Sequence, residues 1–308
     1  MPTEIVAGAS GIARAVELLR AGEVVALPTE TVYGLAADAR NPDAVVKIFE
    51  AKERPRFDPL IVHLPTRESL DLVAHIDANL VRKLIEKFWP GPLTLVLPRS
   101  EVIPDIVTAG LKTVAVRMSA HPVFQQIVSA FGGPLAAPSA NRFGRISPTM
   151  AQHVYDELAG RIPLIVDGGP TPHGIESTIV RVIDDSIEIL RQGPITAEML
   201  REFAPVRLGP RSDTIVAPGQ LKTHYAPRTK LIVVDNLQAF VPPNGTHFGA
   251  ISLRSLSESG DLREAATNLF RIMRELDAAN LDLIVAERVP NKGIGVAINE
   301  RLERAISE

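Results

Sequence analysis

The sequence predicts an α/β (α+β) fold, with a large domain over residues 1–205 and a small domain over residues 231–308. Three observations lead to this prediction. In the first 205 residues, strand-like and helix-like segments mix irregularly, which favours a mixed sheet over a wholly parallel one. A proline-rich segment without periodicity follows at 206–230, and we interpret it as a linker. Strand and helix patterns then alternate to the end of the chain, as is typical of a small three-layer parallel sheet.

Elements of the first domain can be placed in order. Ser10 is expected to cap a first helix that ends before Gly22, and a buried strand follows over 23–27. Asn41 and Pro42 read as N-cap and first position of a helix that runs to about Lys52. Apolar periodicity then predicts strands at 60–64, 93–97, 113–118, 135–137, 164–166, 177–183 and 187–190, and helices at 78–88, 121–131 and 149–158.

The second domain has a simpler pattern. Short apolar runs predict strands at 231–234, 248–253 and 283–286. Apolar residues at helical spacing predict helices at 261–278 and 294–306.

Composition excludes several classes of protein. Of the 308 residues, 45% are hydrophobic and 22% are charged, as in ordinary globular proteins. The absence of cysteine excludes disulfide scaffolds, thiol catalysis and cysteine-bound zinc. A net charge of −3 with few aromatic residues argues against a dedicated nucleic-acid binder, so we expect no stable nucleic-acid complex. No apolar run approaches the roughly 20 residues that span a bilayer, and we expect a cytoplasmic protein without membrane association.

Polar residues gather in a loop directly after the strand at 23–27. Pro28 ends that strand, and the hydroxyls of Thr29, Thr31 and Tyr33 follow neither helical nor strand spacing before Gly34. Loops at strand ends commonly bind ligands. Together with the cations at 52–54 and the polar turn at 139–141, this loop indicates a nucleotide pocket.

Three cations have alternative interpretations. Lys52 and Arg54 lie at the carboxyl end of a predicted helix, where they could bind phosphate or simply offset the helix dipole as solvated charges. Arg117 alternates with valines on a predicted strand, so it needs an anionic partner. That partner could be a substrate carboxylate or a structural carboxylate of the protein.

Several separated motifs together resemble the long form of the threonylcarbamoyl-AMP synthases. The matching segments, in chain order, are 28–35, 52–60, 137–141, 176–179, 190–193 and 218–227. The resemblance implies a YrdC-like mixed twisted sheet, a linker that covers the active site and lends it His224 and Tyr225, and a small Rossmann-like carboxyl-terminal domain. It also implies a nucleotidyltransferase that joins L-threonine, bicarbonate and ATP into threonylcarbamoyl-AMP with release of pyrophosphate. The product would serve a downstream transferase in threonylcarbamoyladenosine modification of tRNA.

The resemblance and the chemistry imply roles for named residues. Nucleotidyl transfer depends mainly on positioning and electrostatics, so Lys52, Arg54 and Arg191 are the candidate phosphate-binding cations, the first two being catalytic. Arg117 would bind the threonine carboxylate bidentately. The further threonine-binding candidates by family analogy are Thr31, His63, Ser177 and, through its backbone, Ala137. The further ATP-binding candidates are Asp58, Thr113, Ser139, Asn141, Ser147 and Tyr225.

Bland alternatives stay open at this point. The Ser, Thr, Asn and Asp candidates could be caps or turn formers, His63 could be a packed histidine, and Tyr225 could anchor the linker. Two other functions also stay open, an RNA-binding module without turnover and a transferase that uses carbamoyl phosphate. The sequence has no clustered metal-ligand pattern, so we expect magnesium to arrive with ATP and not to be held by protein side chains.

Overall fold

The computed structural model describes residues 2–76, 78–209 and 224–306, and these contain two separate sheets. The large sheet is mixed and has the order β1-β8-β2-β3-β7-β4-β6-β5-β9-β10-β11. Its strands are β1 Glu4–Ala7, β2 Val25–Leu27, β3 Gly34–Asp38, β4 Ile61–His63, β5 Leu93–Pro98, β6 Thr113–Arg117, β7 Leu135–Ala136, β8 Leu164–Asp167, β9 Thr178–Ile183, β10 Ser186–Arg191 and β11 Val206–Leu208. The small sheet has the order β12-β14-β13, with β12 Leu231–Val234, β13 Phe248–Ile251 and β14 Leu283–Glu287 all parallel. The predicted mixed α/β class with a separate small parallel sheet is confirmed.

Helices connect and cover these strands. In the first domain they are α1 Gly8–Arg20, α2 Pro42–Lys52, α3 Leu70–Val73, α4 Asn79–Phe88, α5 Asp105–Thr108, α6 Pro122–Phe131, α7 Ala151–Leu158 and α8 Ala197–Leu200. The second domain has α9 Leu253–Leu256, α10 Leu262–Asp277 and α11 Gly295–Ala305. None of the described helices is long and apolar enough to cross a membrane.

Two helix starts follow local capping chemistry. The Asn41 side chain accepts hydrogen bonds from the backbone N–H groups of Asp43 and Ala44, and Pro42 occupies the first helical position, so the prediction for α2 is confirmed. In the same way, Asp261 accepts from the N–H groups at 263 and 264 and begins α10. These signals lie within a few residues of each other, which is why the sequence alone could predict them.

Other boundaries differ from the sequence prediction. Ser10 lies inside α1, which begins at Gly8, and its hydroxyl donates to the carbonyl of Ala7 and does not cap the helix. Strand β1 was not predicted because its partner, β8, lies about 160 residues away. The segment 206–230 was interpreted as a linker from its start, but β11 pairs in parallel with β10 at the sheet edge. Residues 210–223, which include the start of the motif at 218–227, lie outside the described residues.

The two domains share a hydrophobic cluster. Val32, Ile146 and Ile175 of the first domain are buried against the core of the second domain, which includes Leu269 and Ile298. A second, larger cluster lies between the large sheet and its helices. Because the second domain packs on the loops at 32, 146 and 175, it stands next to the strand ends that carry the predicted site.

Candidate active site

One cavity lies where several strands of the large sheet end. The space between its walls that no protein atom fills is about 530 Å³, and this figure includes the solvent at its mouth. Strands β4 and β6 are parallel neighbours, and their last residues, His63 and Arg117, are register partners. The lining consists of Thr29, Thr31, Val32, Gly34, Arg54, Ile61, His63, Arg117, Ala137, Pro138, Ser139, Glu176, Ser177, Arg191, His224 and Tyr225. Residues from six distant segments therefore meet around one space, as the sequence prediction requires.

Nine of the predicted site residues line this cavity and five do not. Those in the lining are Thr31, Arg54, His63, Arg117, Ala137, Ser139, Ser177, Arg191 and Tyr225. Among the described residues, the predicted ones outside the lining are Lys52, Asp58, Thr113, Asn141 and Ser147. Thr113 begins β6 and Arg117 ends it, and a strand rises about 3.3 Å per residue, so about 13 Å of backbone separates the two.

Arg117 has the anionic partner that the sequence required. Its Nη2 lies 2.6 Å from Oε1 of Glu30, with both side chains almost fully buried, and its Nη1 donates to Oγ1 of Thr31 at 2.9 Å. Burial alone would raise the pKa of Glu30, but Arg117 and the hydroxyl of Ser119 lower it to about 2. Glu30 is therefore ionised at neutral pH and holds the guanidinium at the cavity wall. Glu30 was not predicted as a site residue, although it lies inside the motif at 28–35.

Arg54 and Arg191 also line the cavity. Arg54 pairs with Asp58 at 2.9 Å, and both side chains are buried. Arg191 donates through Nε to the carbonyl of Ser177 and through Nη2 to its hydroxyl, each at 3.0 Å. Asp58 thus sits behind the cavity wall as the counter-ion of Arg54.

Lys52 reaches the loop that follows β7. Its Nζ donates to the backbone carbonyls of Ser139 and Asn141. The side-chain amide of Asn141 in turn donates two hydrogen bonds of 2.8 Å, to the carbonyls of Arg142 and Arg145. Burial, and then the nearby charge of Arg54, lower the pKa of the Lys52 ammonium. In this structure Lys52 and Asn141 order the loop that carries Ser139, and any direct contact with ATP stays a prediction.

Glu176 is a second buried carboxylate, and it begins the motif at 176–179 without having a predicted role. It lines the cavity, its Oε1 accepts from Oγ of Ser147 at 2.5 Å, and its Oε2 lies 2.9 Å from Nε of Arg301 in α11. Ser147 therefore positions Glu176 from outside the lining. No sequence signal pointed to Arg301, because it lies 125 residues away from Glu176 in the other domain.

His224 and Tyr225 close the cavity next to the second domain. Tyr225 has a positive φ of 69°, an uncommon conformation for a bulky residue, and its ring packs 4.2 Å from that of His224. Among the described residues, neither Oη of Tyr225 nor Nδ1 of His224 or His63 has a hydrogen-bond partner, although all three atoms are buried. Buried polar atoms without partners at a cavity are places where a ligand or water would supply them.

The two buried histidines give a testable pH dependence. Burial lowers the pKa of both His63 and His224 to about 3, whereas the ordinary value is 6.5. A depressed histidine pKa leaves the stability of the fold unchanged above pH 6.5 and lowers it as the pH falls toward 3, because only the unfolded chain takes up the protons. Two such groups correspond to a slope of about 3 kcal/mol per pH unit below pH 6. Urea unfolding at pH 7.5, 6.5 and 5.5 would measure it, and equal unfolding free energies at all three would contradict it.

Comparisons with known proteins agree with this arrangement. A family model described as "Telomere recombination" matches residues 17–193, and one described as "Threonylcarbamoyl-AMP synthase, C-terminal domain" matches residues 195–307. The chain is 41% identical to the threonylcarbamoyl-AMP synthase of Pyrococcus abyssi, over 93% of this chain and 91% of the relative. It is 40% identical to that of Bacillus subtilis, over 96% and 92%.

A solved structure resembles the whole chain. The crystal structure of P. abyssi Sua5 complexed with L-threonine superposes with a TM-score of 0.90 at 37% identity, covering 99% of this chain and 97% of that one. The similarity therefore extends over both domains. The chain belongs to the threonylcarbamoyl-AMP synthase family, in the form that carries the additional carboxyl-terminal domain.

Proposed function

We propose that this chain is an L-threonylcarbamoyladenylate synthase, which joins L-threonine, bicarbonate and ATP and releases pyrophosphate. The observation that carries the proposal is that Arg54, Arg117 and Arg191, which are distant in sequence, line one cavity together with polar side chains. Family membership over the full chain supports the same activity. The complex of the P. abyssi relative with L-threonine supports threonine as one substrate.

The cavity offers a place for each substrate. Arg117 and Thr31 would bind the threonine carboxylate and hydroxyl, with neutral His63, Ser177 and the backbone at Ala137 completing that end. Arg54 and Arg191 would bind the ATP phosphates, and Ser139 and Tyr225 would contact the nucleotide. Magnesium would enter as part of MgATP and be held mostly by the phosphates.

The reaction would proceed in two steps. The neutral amine of threonine attacks bicarbonate to give a carbamate with loss of water, and a carbamate oxygen then attacks the α-phosphorus of ATP while pyrophosphate leaves. Negative charge grows on the phosphate oxygens during the second step, so preorganised guanidinium groups lower its barrier. The product would be consumed by a downstream tRNA threonylcarbamoyl transferase.

The recessed position of the cations favours this enzyme over an RNA-binding module. Arg54 and Arg117 are almost fully buried and each is paired with a carboxylate, whereas cations that bind an RNA backbone need to be accessible along a surface. A small anionic ligand can enter such a cavity, but a polynucleotide backbone cannot follow its wall.

The test is pyrophosphate release from MgATP by the purified chain. We expect release only when both L-threonine and bicarbonate are present, and none when either is left out. Salt-sensitive binding of RNA without any turnover would instead support the RNA-binding module. Activity with carbamoyl phosphate in the absence of bicarbonate would support the alternative transferase.

A further inference from the structure

Helix α11 of the second domain contacts three separate segments of the cavity wall. Glu300 accepts through Oε2 from the N–H of Gln192, at 3.1 Å, next to Arg191. The carbonyl of Arg304 accepts from the N–H of His224 at 3.0 Å. Between them, Arg301 pairs with Glu176. One turn of a helix in the second domain therefore supports residues at 176, 192 and 224 of the site.

Arg301 contacts two cavity residues at once. Its guanidinium is fully buried, lies 2.9 Å from the Glu176 carboxylate and stacks over the Tyr225 ring at 5.4 Å from the ring centre. A buried arginine held by both a carboxylate and an aromatic face has little freedom to move. The positions of Glu176 and Tyr225 are therefore coupled through one side chain.

The charge of Glu176 makes this coupling matter for an anionic ligand. Burial alone would raise the pKa of Glu176, but Arg301, then Arg191 and the hydroxyl of Ser147, lower it below its ordinary value. Glu176 is therefore an ionised carboxylate in the same lining as Arg54 and Arg191. With Arg301 directly behind it, its negative charge is compensated inside the wall. Without Arg301, the carboxylate would lose its buried ion-pair partner, and less of its charge would be compensated where it faces the phosphates.

We propose that Arg301 is a positioning residue for ATP, which acts by compensating the charge of Glu176 and seating Tyr225 against the cavity. The inference rests on the proposed function, because it takes ATP as the ligand of this cavity. It gives the second domain a defined part in the site, since a side chain from α11 determines the electrostatics of a wall built by the first domain.

The test compares three variants by calorimetric binding of MgATP to the full chain. Arg301→Met is expected to weaken MgATP binding at least tenfold, because Glu176 then repels the phosphates. Adding Glu176→Gln to it removes the repelling charge, so the double variant is expected to bind within about threefold of the wild type. Arg288→Met is the matched control, since Arg288 of the same domain pairs with Asp235 and Glu303 on the surface, and no change is expected.

The rescue separates positioning from general folding. If Arg301→Met binds MgATP as well as the wild type, or if the double variant binds no better than the single one, the proposal is wrong. If Arg301→Met does not fold, the MgATP affinity of Glu176→Gln alone is compared with that of the double variant. A difference of tenfold or more between these two affinities would overturn the proposal. A double variant that does not fold while the control does would also overturn it. Failure of the proposed function would give a different result. The wild-type chain would then show no pyrophosphate release that depends on threonine and bicarbonate.

Discussion

Replacing Arg117 by alanine is expected to weaken threonine binding by about 10- to 150-fold and to lower the free energy of unfolding by about 3–5 kcal/mol. The binding loss follows from the proposed contact between the guanidinium and the threonine carboxylate, a charged contact worth about 1.5–3 kcal/mol. The stability loss has a separate cause. Arg117 lies 2.6 Å from Glu30, both side chains are buried, and the alanine variant would leave the Glu30 carboxylate without its cation.

A double variant separates these two effects. Glu30→Gln together with Arg117→Met removes both charges and is expected to restore most of the stability, because replacing both members of a buried ion pair is often close to neutral. It is not expected to restore threonine binding, whereas its affinity for MgATP should change much less. Calorimetric titration and urea unfolding measure the two quantities. Arg14→Ala is the control, since the pair of Arg14 with Glu17 is exposed to solvent and should contribute little to the free energy of unfolding. If the double variant binds threonine normally, Arg117 is only a structural partner of Glu30.

Ending the chain at residue 209 is expected to leave a folded first domain whose kcat/KM for ATP is at least a hundredfold lower, a change of about 2.7 kcal/mol. All eleven strands of the large sheet lie before this point, and so does its main hydrophobic core. The truncation removes His224 and Tyr225 from the cavity lining, together with the Arg301 that pairs with Glu176. Pyrophosphate release and circular dichroism would check activity and folding.

Truncation also exposes apolar surface, so a single substitution in the full chain is needed as a second test. Val32, Ile146 and Ile175 lose their packing against the second domain, and a poorly folded fragment would be inactive for that reason alone. Tyr225→Phe in the full chain keeps the ring that packs against Phe270 and Arg301 of the second domain and removes only the hydroxyl at the cavity. We expect it to reduce turnover with little change in the unfolding of the first domain. Full activity in both the truncated chain and this variant would contradict the proposal that residues 224–225 complete the site.

The elements that the sequence predicted well are those whose signals are local. Asn41 with Pro42, and Asp261 before an apolar stripe, each specify a helix start within one turn, and α2 and α10 begin there. Predicted elements such as β5 and α4 agree with the structure to within a residue or so at each end. The missed strands include β3, in the middle of the large sheet, and the short strands β1 and β11 at its edges. Strands β1 and β11 are three or four residues long and exist because distant or neighbouring strands supply their hydrogen bonds.

The same distinction applies to the candidate site. The motifs contained most of the residues that line the cavity, and the position of Arg117 among valines required an anion near it. Which carboxylate would supply that anion was not predictable, because Glu30 is 87 residues away along the chain and meets Arg117 only in the folded sheet. The structure also shows that the Lys52 ammonium donates to backbone carbonyls of the next loop, and its contact with ATP stays a prediction.

The sequence by itself determined the α/β class, the separate small parallel sheet, the capped helices and the segments that supply the cavity. The tertiary structure alone decided which charge compensates which, including Glu30 for Arg117, Asp58 for Arg54 and Arg301 for Glu176. The physical reason is that hydrophobic periodicity and capping act over a few residues, whereas a buried charge must be paired by whichever partner the packing brings within reach. For Glu176 that partner comes from the other domain.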